Sequence, residues 1–238
     1  IDKLAELLNE KGIVIVAAVG NDENGLINPP ANSPHVIAVG GIDDENKLND
    51  EKKLYHSTYG KTVDDLIKPE LVANAIWIAA PILPGTKEQE ESEALHYLLK
   101  TEDDKLKNSL LNIKEKIKLN SRVFDSNDVP FIKETVVNRI RNCKYITPHY
   151  MHVDGTSFAA PIVSSVIAQM LEANPQLTPP LIREVLFSTA KRIDEYPAER
   201  QGFGVIRPGK ALIRVLKKEE IMKPHLSPFI NRKKKTIE

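Results

Sequence analysis

Residues 13–19 read Ile-Val-Ile-Val-Ala-Ala-Val, followed by Gly20 and Asn21. A short apolar run rich in β-branched residues and closed by glycine is the pattern of a parallel strand buried on both faces. Upstream, Leu4, Leu7 and Leu8 fall on one side of a helix. Downstream, a turn-rich stretch holds Asn24-Gly25 and Asn28-Pro29-Pro30. Val36-Ile37-Ala38-Val39 then reads as a second buried strand, ending at Gly40-Gly41, and residues 76–79 (Ile-Trp-Ile-Ala) supply a third. Helix before strand, repeated, points to an α/β fold: a doubly wound, mostly parallel sheet with helices on both faces. The chain opens at Ile1-Asp2-Lys3-Leu4, inside the first helix and without an initiator methionine. It is therefore read as a fragment, or as one product of a cleaved precursor.

The character changes near Pro84-Gly85. From about residue 86 to 120, Glu and Lys are dense, and Leu95, Leu98, Leu99, Leu106, Leu110, Ile113 and Ile117 recur at three- and four-residue steps. That spacing makes one or two amphipathic helices. They read as a solvated helical insertion over residues 85–149, or as a docking surface or lid. Regular α/β character returns after about 150. A helix is expected over Ser157–Leu171, stopped at Asn174-Pro175, and another over Leu181–Ala190 with Thr178 as N-cap and two prolines in its first turn. The expected layout is thus 1–84 with 150–216 as one domain, 85–149 as the insertion, and 217–238 as a polar, basic tail.

Composition bounds the function. The 238 residues carry 33 Lys plus Arg against 33 Asp plus Glu, for a net charge of zero. Such a balance gives no global pull toward nucleic acid or anionic lipid. Arg232-Lys233-Lys234-Lys235 at the tail reads as a solvated terminus. Cys143 is the one cysteine, which excludes an internal disulfide framework. No apolar run approaches a membrane span. Neither a G-x-x-x-x-G-K-[ST] nor a G-x-G-x-x-G loop is present, which ranks a nucleotide-binding domain last.

Chemistry concentrates at Gly155-Thr156-Ser157-Phe158-Ala159-Ala160-Pro161. Small residues flank a serine where a loop enters a helix, next to unpaired N–H groups and the positive end of the helix dipole. Alone, such a serine is a helix cap, and Asn21 alone is a turn asparagine. The segment GTSFAAP, however, closely resembles the nucleophile motif of the subtilisin-like serine proteases, the subtilases. Four more stretches resemble that family in chain order. They are Ala17–Asn21, Pro34–Gly41, Ile67–Ala73 (a Lys-Pro-Asp-like segment), and Leu177–Ala190 with Gly202–Ile206. The likeness covers roughly residues 1–81 and 150–215.

What the resemblance implies is acyl transfer: Ser157 as nucleophile, with the Asn21 side-chain amide and the Ser157 N–H as the oxyanion hole. It places Gly20, Asp22, Gly155 and Thr156 along the substrate, with Asp22 favouring a basic or polar side chain or serving as a turn acid. The family's triad runs Asp, His, Ser, and no histidine here is followed by the glycine of its His-Gly-Thr pattern. The six are His35, His56, His96, His149, His152 and His225; His152, nearest Ser157 in sequence, reads as a loop residue. The Asp and His are therefore expected in an upstream N-terminal part of the same protease, whose absence would leave this chain poorly soluble or oligomeric, and inert. The implied partner is a peptide or protein substrate. The alternative is a catalytically inactive binding or scaffold module on the same fold. Departures from the family's pattern are Ala73-Asn74-Ala75 for Ala-Pro-Gly, Ile162 for histidine, Ser165 for glycine, and the insertion itself. No cofactor is required. Structural calcium occurs in many subtilases, but Asp43, Asp44, Glu45 and Asn46 form no calcium-loop motif and read as a surface turn. The compartment stays open, the resemblance tilting toward secretion.

Overall fold

The computed structural model describes residues 1–45 and 52–217, and the backbone of 230–231 and 236–237. The order of elements runs α1 (Asp2–Glu10), β1 (Ile15–Ala18), β2 (Val36–Asp43), β3 (Lys53–Leu54), β4 (Gly60–Lys61), β5 (Ile67–Lys68), β6 (Leu71–Asn74) and β7 (Ile78–Pro81). Then come α2 (Lys87–Lys100), α3 (Asp103–Asn112), a 3₁₀ turn (Lys114–Lys116), α4 (Ser121–Asp125), α5 (Val129–Asn142), β8 (Tyr145–Thr147) and β9 (Tyr150–Val153). The chain continues with α6 (Thr156–Ala173), α7 (Pro179–Thr189), α8 (Ala198–Gln201), α9 (Pro208–Leu216), β10 (Ile230–Asn231) and β11 (Thr236–Ile237). Two compact units result: residues 1–77 with 154–238, and residues 78–153. The side chains of the basic tail beyond Lys217, and Asn46, lie outside the described residues.

In the first unit β1, β2 and β6 run parallel. Ala18 lies opposite Val39, and Val39 in turn opposite Leu71. β2 alternates as a strand must. Ile37 and Val39 face a core built with α6, α7 and α9 through Val163, Met170, Ile182, Leu186 and Val215. Ala38 meets Val19 and Ala31 on the other side, where Ile42 and Val72 also meet Val205. On that second face β2 and β6 thus meet loop residues.

The sheet is also less parallel than the sequence suggested. β3 joins β2 antiparallel, β4 pairs β5 antiparallel, and the strand expected at 76–79 is β7, antiparallel to β9 in the other unit. The third parallel strand is β6 instead. Between β4 and β5 the connection is a short turn, too short for the crossover that parallel pairing needs.

One buried ionic group ties this unit together. Lys68 and Glu70 are both fully buried and pair at 2.5 Å. Lys68 Nζ also donates to the carbonyls of Ser33 and Val36, at 2.8 and 2.9 Å. Glu70 accepts from the Ala38 N–H at 2.8 Å and from Arg183 of α7 at 3.1 Å. Burial pushes the Lys68 ammonium and the Arg183 guanidinium down, and Glu70 opposes both shifts. The Glu70 carbonyl accepts from Phe203 N–H at 2.8 Å, which brings in the segment after α8.

The second unit packs α2, α3, α4 and α5 around Leu95, Leu98, Leu106, Leu110, Val123, Ile132 and Val136. Three of its helices begin at side-chain caps: Thr86 accepts from Gln89 N–H, Asn120 from Arg122 N–H, and Asp128 from Phe131 N–H. A three-stranded antiparallel sheet, β7-β9-β8, completes it. His152 sits in β9 opposite Ala79, a strand position rather than a loop. Glu91, 7% exposed, takes two bonds from Arg139 (2.9 and 3.0 Å), one from Lys118 N–H and one from Tyr145 Oη. Burial raises its carboxyl, but these donors together outweigh it and hold the group below its ordinary 4.5.

Two outcomes follow from these groups. Glu70→Ala strands two buried cations and should cost about 3–5 kcal/mol of unfolding free energy in urea titrations. Lys68→Met, which leaves Glu70 paired with Arg183, should cost clearly less. For Glu91, the folded value is lower than the unfolded one. Its contribution is therefore complete above pH 4.5 and lost as pH falls through the lower folded value. Glu91→Gln should lower thermal stability at neutral pH and flatten the acid limb below pH 4.5 in scans of melting temperature against pH.

Candidate functional site

The site forms where β1 ends and α6 begins. Chain direction in a parallel sheet delivers the strand's carboxyl end to a loop, and here that loop is Val19-Gly20-Asn21-Asp22. Pairing with β2 persists to Val19, whose N–H donates to the Val39 carbonyl at 3.0 Å, so Gly20 is the first residue free of the ladder. Its φ of 121° is one that side-chain-bearing residues rarely adopt, and a Cβ there would lie 2.5 Å from Thr58 Oγ1.

Helix α6 has no side-chain cap of its own, since its N-cap residue is Gly155. Asn21 supplies the missing acceptor from across the unit. Its Oδ1 accepts from the Thr156 N–H at 2.8 Å and from Thr156 Oγ1 at 2.9 Å. Thr156 Oγ1 in turn accepts from Gly20 N–H at 3.4 Å. With Oδ1 occupied twice, the amide orientation is fixed and Nδ2 is the end left to donate. Gly155 is the tight spot: its φ is 134°, its N–H donates to the Ala75 carbonyl at 2.7 Å, and a Cβ would lie 3.4 Å from Asn21 Nδ2. Ser157 occupies the second position of α6 and is exposed. Its N–H is among the first amides of an 18-residue helix, which have no partner within the helix. Pro161, one turn later, has no N–H to give the Ser157 carbonyl.

A groove of about 360 Å³ gathers these groups. It is lined by Ala18, Gly20, Asn21, Asp22, Thr156 and Ser157, and by Leu26 and Pro29 of the loop that follows. Of the residues expected along the substrate, Gly20 and Asp22 line this groove with partial or full exposure. Gly155 and Thr156 are buried, so their contacts are with Asn21, Gly20 and Ala75, and they shape the groove from behind. Asp22 is exposed and closes a turn by accepting from Asn24 N–H at 3.0 Å. Arg200 pairs with Glu23 and lies over the rings of Tyr59 and Tyr196, at 5.1 and 5.8 Å, which holds the loop beyond Asp22.

Two contacts were not foreseen. Thr58 Oγ1 donates to the Asp22 carbonyl at 2.8 Å and accepts from the Asp22 N–H at 3.3 Å. His56 Nδ1 lies 3.0 Å from the Asn21 carbonyl. No periodicity or spacing marks Tyr55–Thr58, so the sequence offered no signal for either. Among the described residues, no side chain hydrogen-bonds Ser157 Oγ, and no group of three or more His, Cys, Asp or Glu is gathered as a metal ion would need. Asp43 caps Glu45 N–H, Asp44 accepts from Asn74, and Glu45 pairs with Lys53 at 2.5 Å. No helix among the described residues is long and apolar enough to cross a membrane.

Chemically, the arrangement offers an exposed hydroxyl at a helix N-terminus, a fixed neutral amide donor and an unpaired backbone N–H around one groove. Two known proteins are similar to this chain. Serine protease AprX of Bacillus subtilis (strain 168) is 28% identical over 191 residues, covering 78% of this chain and 32% of the relative. The prenylagaramide maturation protease PagA shares the fold with a TM-score of 0.52 at 18% identity, over 90% of this chain and 54% of that one. The chain therefore spans about a third of the length of AprX and about half that of PagA. The model of the subtilase family matches residues 1–204, well over half of the sequence, and the chain belongs to the subtilase family.

Proposed function

We propose that this chain is the nucleophile-bearing, C-terminal part of a serine endopeptidase catalytic domain, completed by an upstream segment that carries the triad Asp and His. The observation that carries the reading is the Asn21 amide. Its oxygen is consumed by Thr156, which leaves its nitrogen as a preoriented donor in the groove that Ser157 lines.

In this reading Ser157 Oγ attacks a peptide carbonyl while the upstream imidazole takes its proton. The carbonyl oxygen becomes an anion and is held by Asn21 Nδ2 and the Ser157 N–H. A neutral amide suits this task because it donates without adding charge, and its fixed orientation costs no reorganisation as the anion forms. The positive end of α6 adds to the same stabilisation. Collapse expels the amine, which receives the proton back from the imidazole, and water then releases the acyl group from Ser157. Gly20 and Asp22 would lie along the substrate, with Gly155 and Thr156 acting through Asn21. The exposed Leu4 and Leu7 of α1, 60% and 42% accessible, and the half-buried edge strand β1 would be covered by the upstream segment. No metal or cofactor enters this mechanism.

The competing reading, a protease-like binding module without catalysis, draws on the lack of any side-chain partner for Ser157 Oγ among the described residues. Fluorophosphonate labelling of the protein together with its upstream segment separates the two. We expect one adduct per chain, mapped to Ser157 and abolished by Ser157→Ala. Asn21→Ala should lower kcat on the order of 10²-fold with little change in KM. Absence of an adduct when the upstream segment is present would favour the binding module.

A further inference from the structure

The peptide unit between Asn21 and Asp22 is held at both of its polar atoms. Its N–H donates to Thr58 Oγ1 at 3.3 Å, and its carbonyl faces His56 Nδ1 at 3.0 Å. The two neighbours come from one short segment, which is itself anchored: Tyr55 N–H donates to the Gly41 carbonyl and Thr58 N–H to the Gly20 carbonyl, at 3.0 and 3.1 Å. The imidazole lies against the Tyr55 ring, with centroids 3.9 Å apart and planes tilted by 31°. Tyr55 is 8% exposed and therefore a firm support. Burial, reinforced by the negative charge of Asp154, pushes its hydroxyl up, so this partner stays neutral.

We propose that His56 is a positioning residue for Asn21. A carbonyl can only accept, so Nδ1 must carry the hydrogen, and the neutral ring then leaves Nε2 bare. Its effect is geometric. A peptide plane pinned at its oxygen by His56 and at its nitrogen by Thr58 resists rotation about the Asn21 Cα–C bond, and so restrains the backbone from which the Asn21 side chain springs. Thr156 fixes the far end of the same side chain through Oδ1. The amide nitrogen is thereby held from the backbone side and from the tip. Held less firmly, an oxyanion donor would have to reorient as charge develops, which is the cost that preorganisation removes.

The catalytic consequence rests on the endopeptidase reading above; the positioning itself does not. Two variants isolate the donor from the ring. His56→Phe keeps an aromatic ring on Tyr55 and removes the N–H. His56→Asn removes the ring and restores an N–H close to where Nδ1 sits. Both are made in the protein with its upstream segment and read in two ways: steady-state kinetics on a peptide substrate, and ¹⁵N relaxation of the Asn21 side-chain amide. We expect His56→Phe to lower kcat about 3- to 10-fold with KM nearly unchanged and to loosen the amide, and His56→Asn to recover most of both. Unchanged amide order in His56→Phe would overturn the proposal. So would equal losses in both variants, which would assign the effect to ring packing, or a rise in KM alone, which would assign it to substrate binding. Should the wild type not turn over peptides, the endopeptidase reading fails, and amide order alone still decides whether His56 positions Asn21.

Discussion

Glu70 is the point at which four segments of the first unit converge. One carboxylate, without access to water, accepts from the backbone at the start of β2, from a lysine two residues before it and from an arginine on α7, while its own carbonyl receives Phe203 N–H. A buried charge cannot be left half-satisfied, so these partners are obligatory rather than decorative. Their joint requirement sets where β2 starts, and β2 sets the rest. Its register against β1 decides that Val19 makes the last ladder bond, and therefore that Asn21 emerges two residues later, facing the start of α6.

That emergence gives Asn21 two roles in one bond pair. By accepting from Thr156 it caps a helix that lacks a cap of its own, and the same contact orients its amide. Folding and the candidate chemistry thus draw on a single geometry. A substitution at Asn21 removes a helix cap along with a donor, so part of any loss belongs to the local structure of α6 rather than to the groove. Thr156, whose side chain is buried, belongs to the same arrangement.

Much of this was legible in the sequence. The apolar run at 13–19 and the strand at 36–39 declared the parallel pair through β-branched density and closing glycines, and the heptad-like leucines of 95–117 declared helices. The segment around Ser157 was conspicuous for its small residues, and its likeness to a known family also picked out Asn21. What escaped was whatever depended on partners distant in the chain. The strand at 76–79 carried the apolar signature of its neighbours, yet its partner is β9, and pairing direction leaves no trace in composition. The burial of Lys68 depends on the carbonyls of Ser33 and Val36, more than thirty residues upstream, as well as on Glu70 close by. His56 bore no mark at all, since its contact with Asn21 is created by the fold of two loops.

The second unit leaves and rejoins the first within a very small space. Ala75 O receives Gly155 N–H at 2.7 Å, and Trp77 N–H donates to Asp154 Oδ1 at 3.0 Å, so everything between them hangs from a closed neck. For a polymer, the entropy of tethering such a neck grows only logarithmically with the length it encloses, by about 0.6 kcal/mol for each doubling. The size of the intervening segment is therefore nearly decoupled from the position of Ser157, three residues past the neck. Evolution could lengthen, shorten or exchange that segment while leaving the nucleophile's coordinates where they are, and an engineer could graft another compact unit at the same seam.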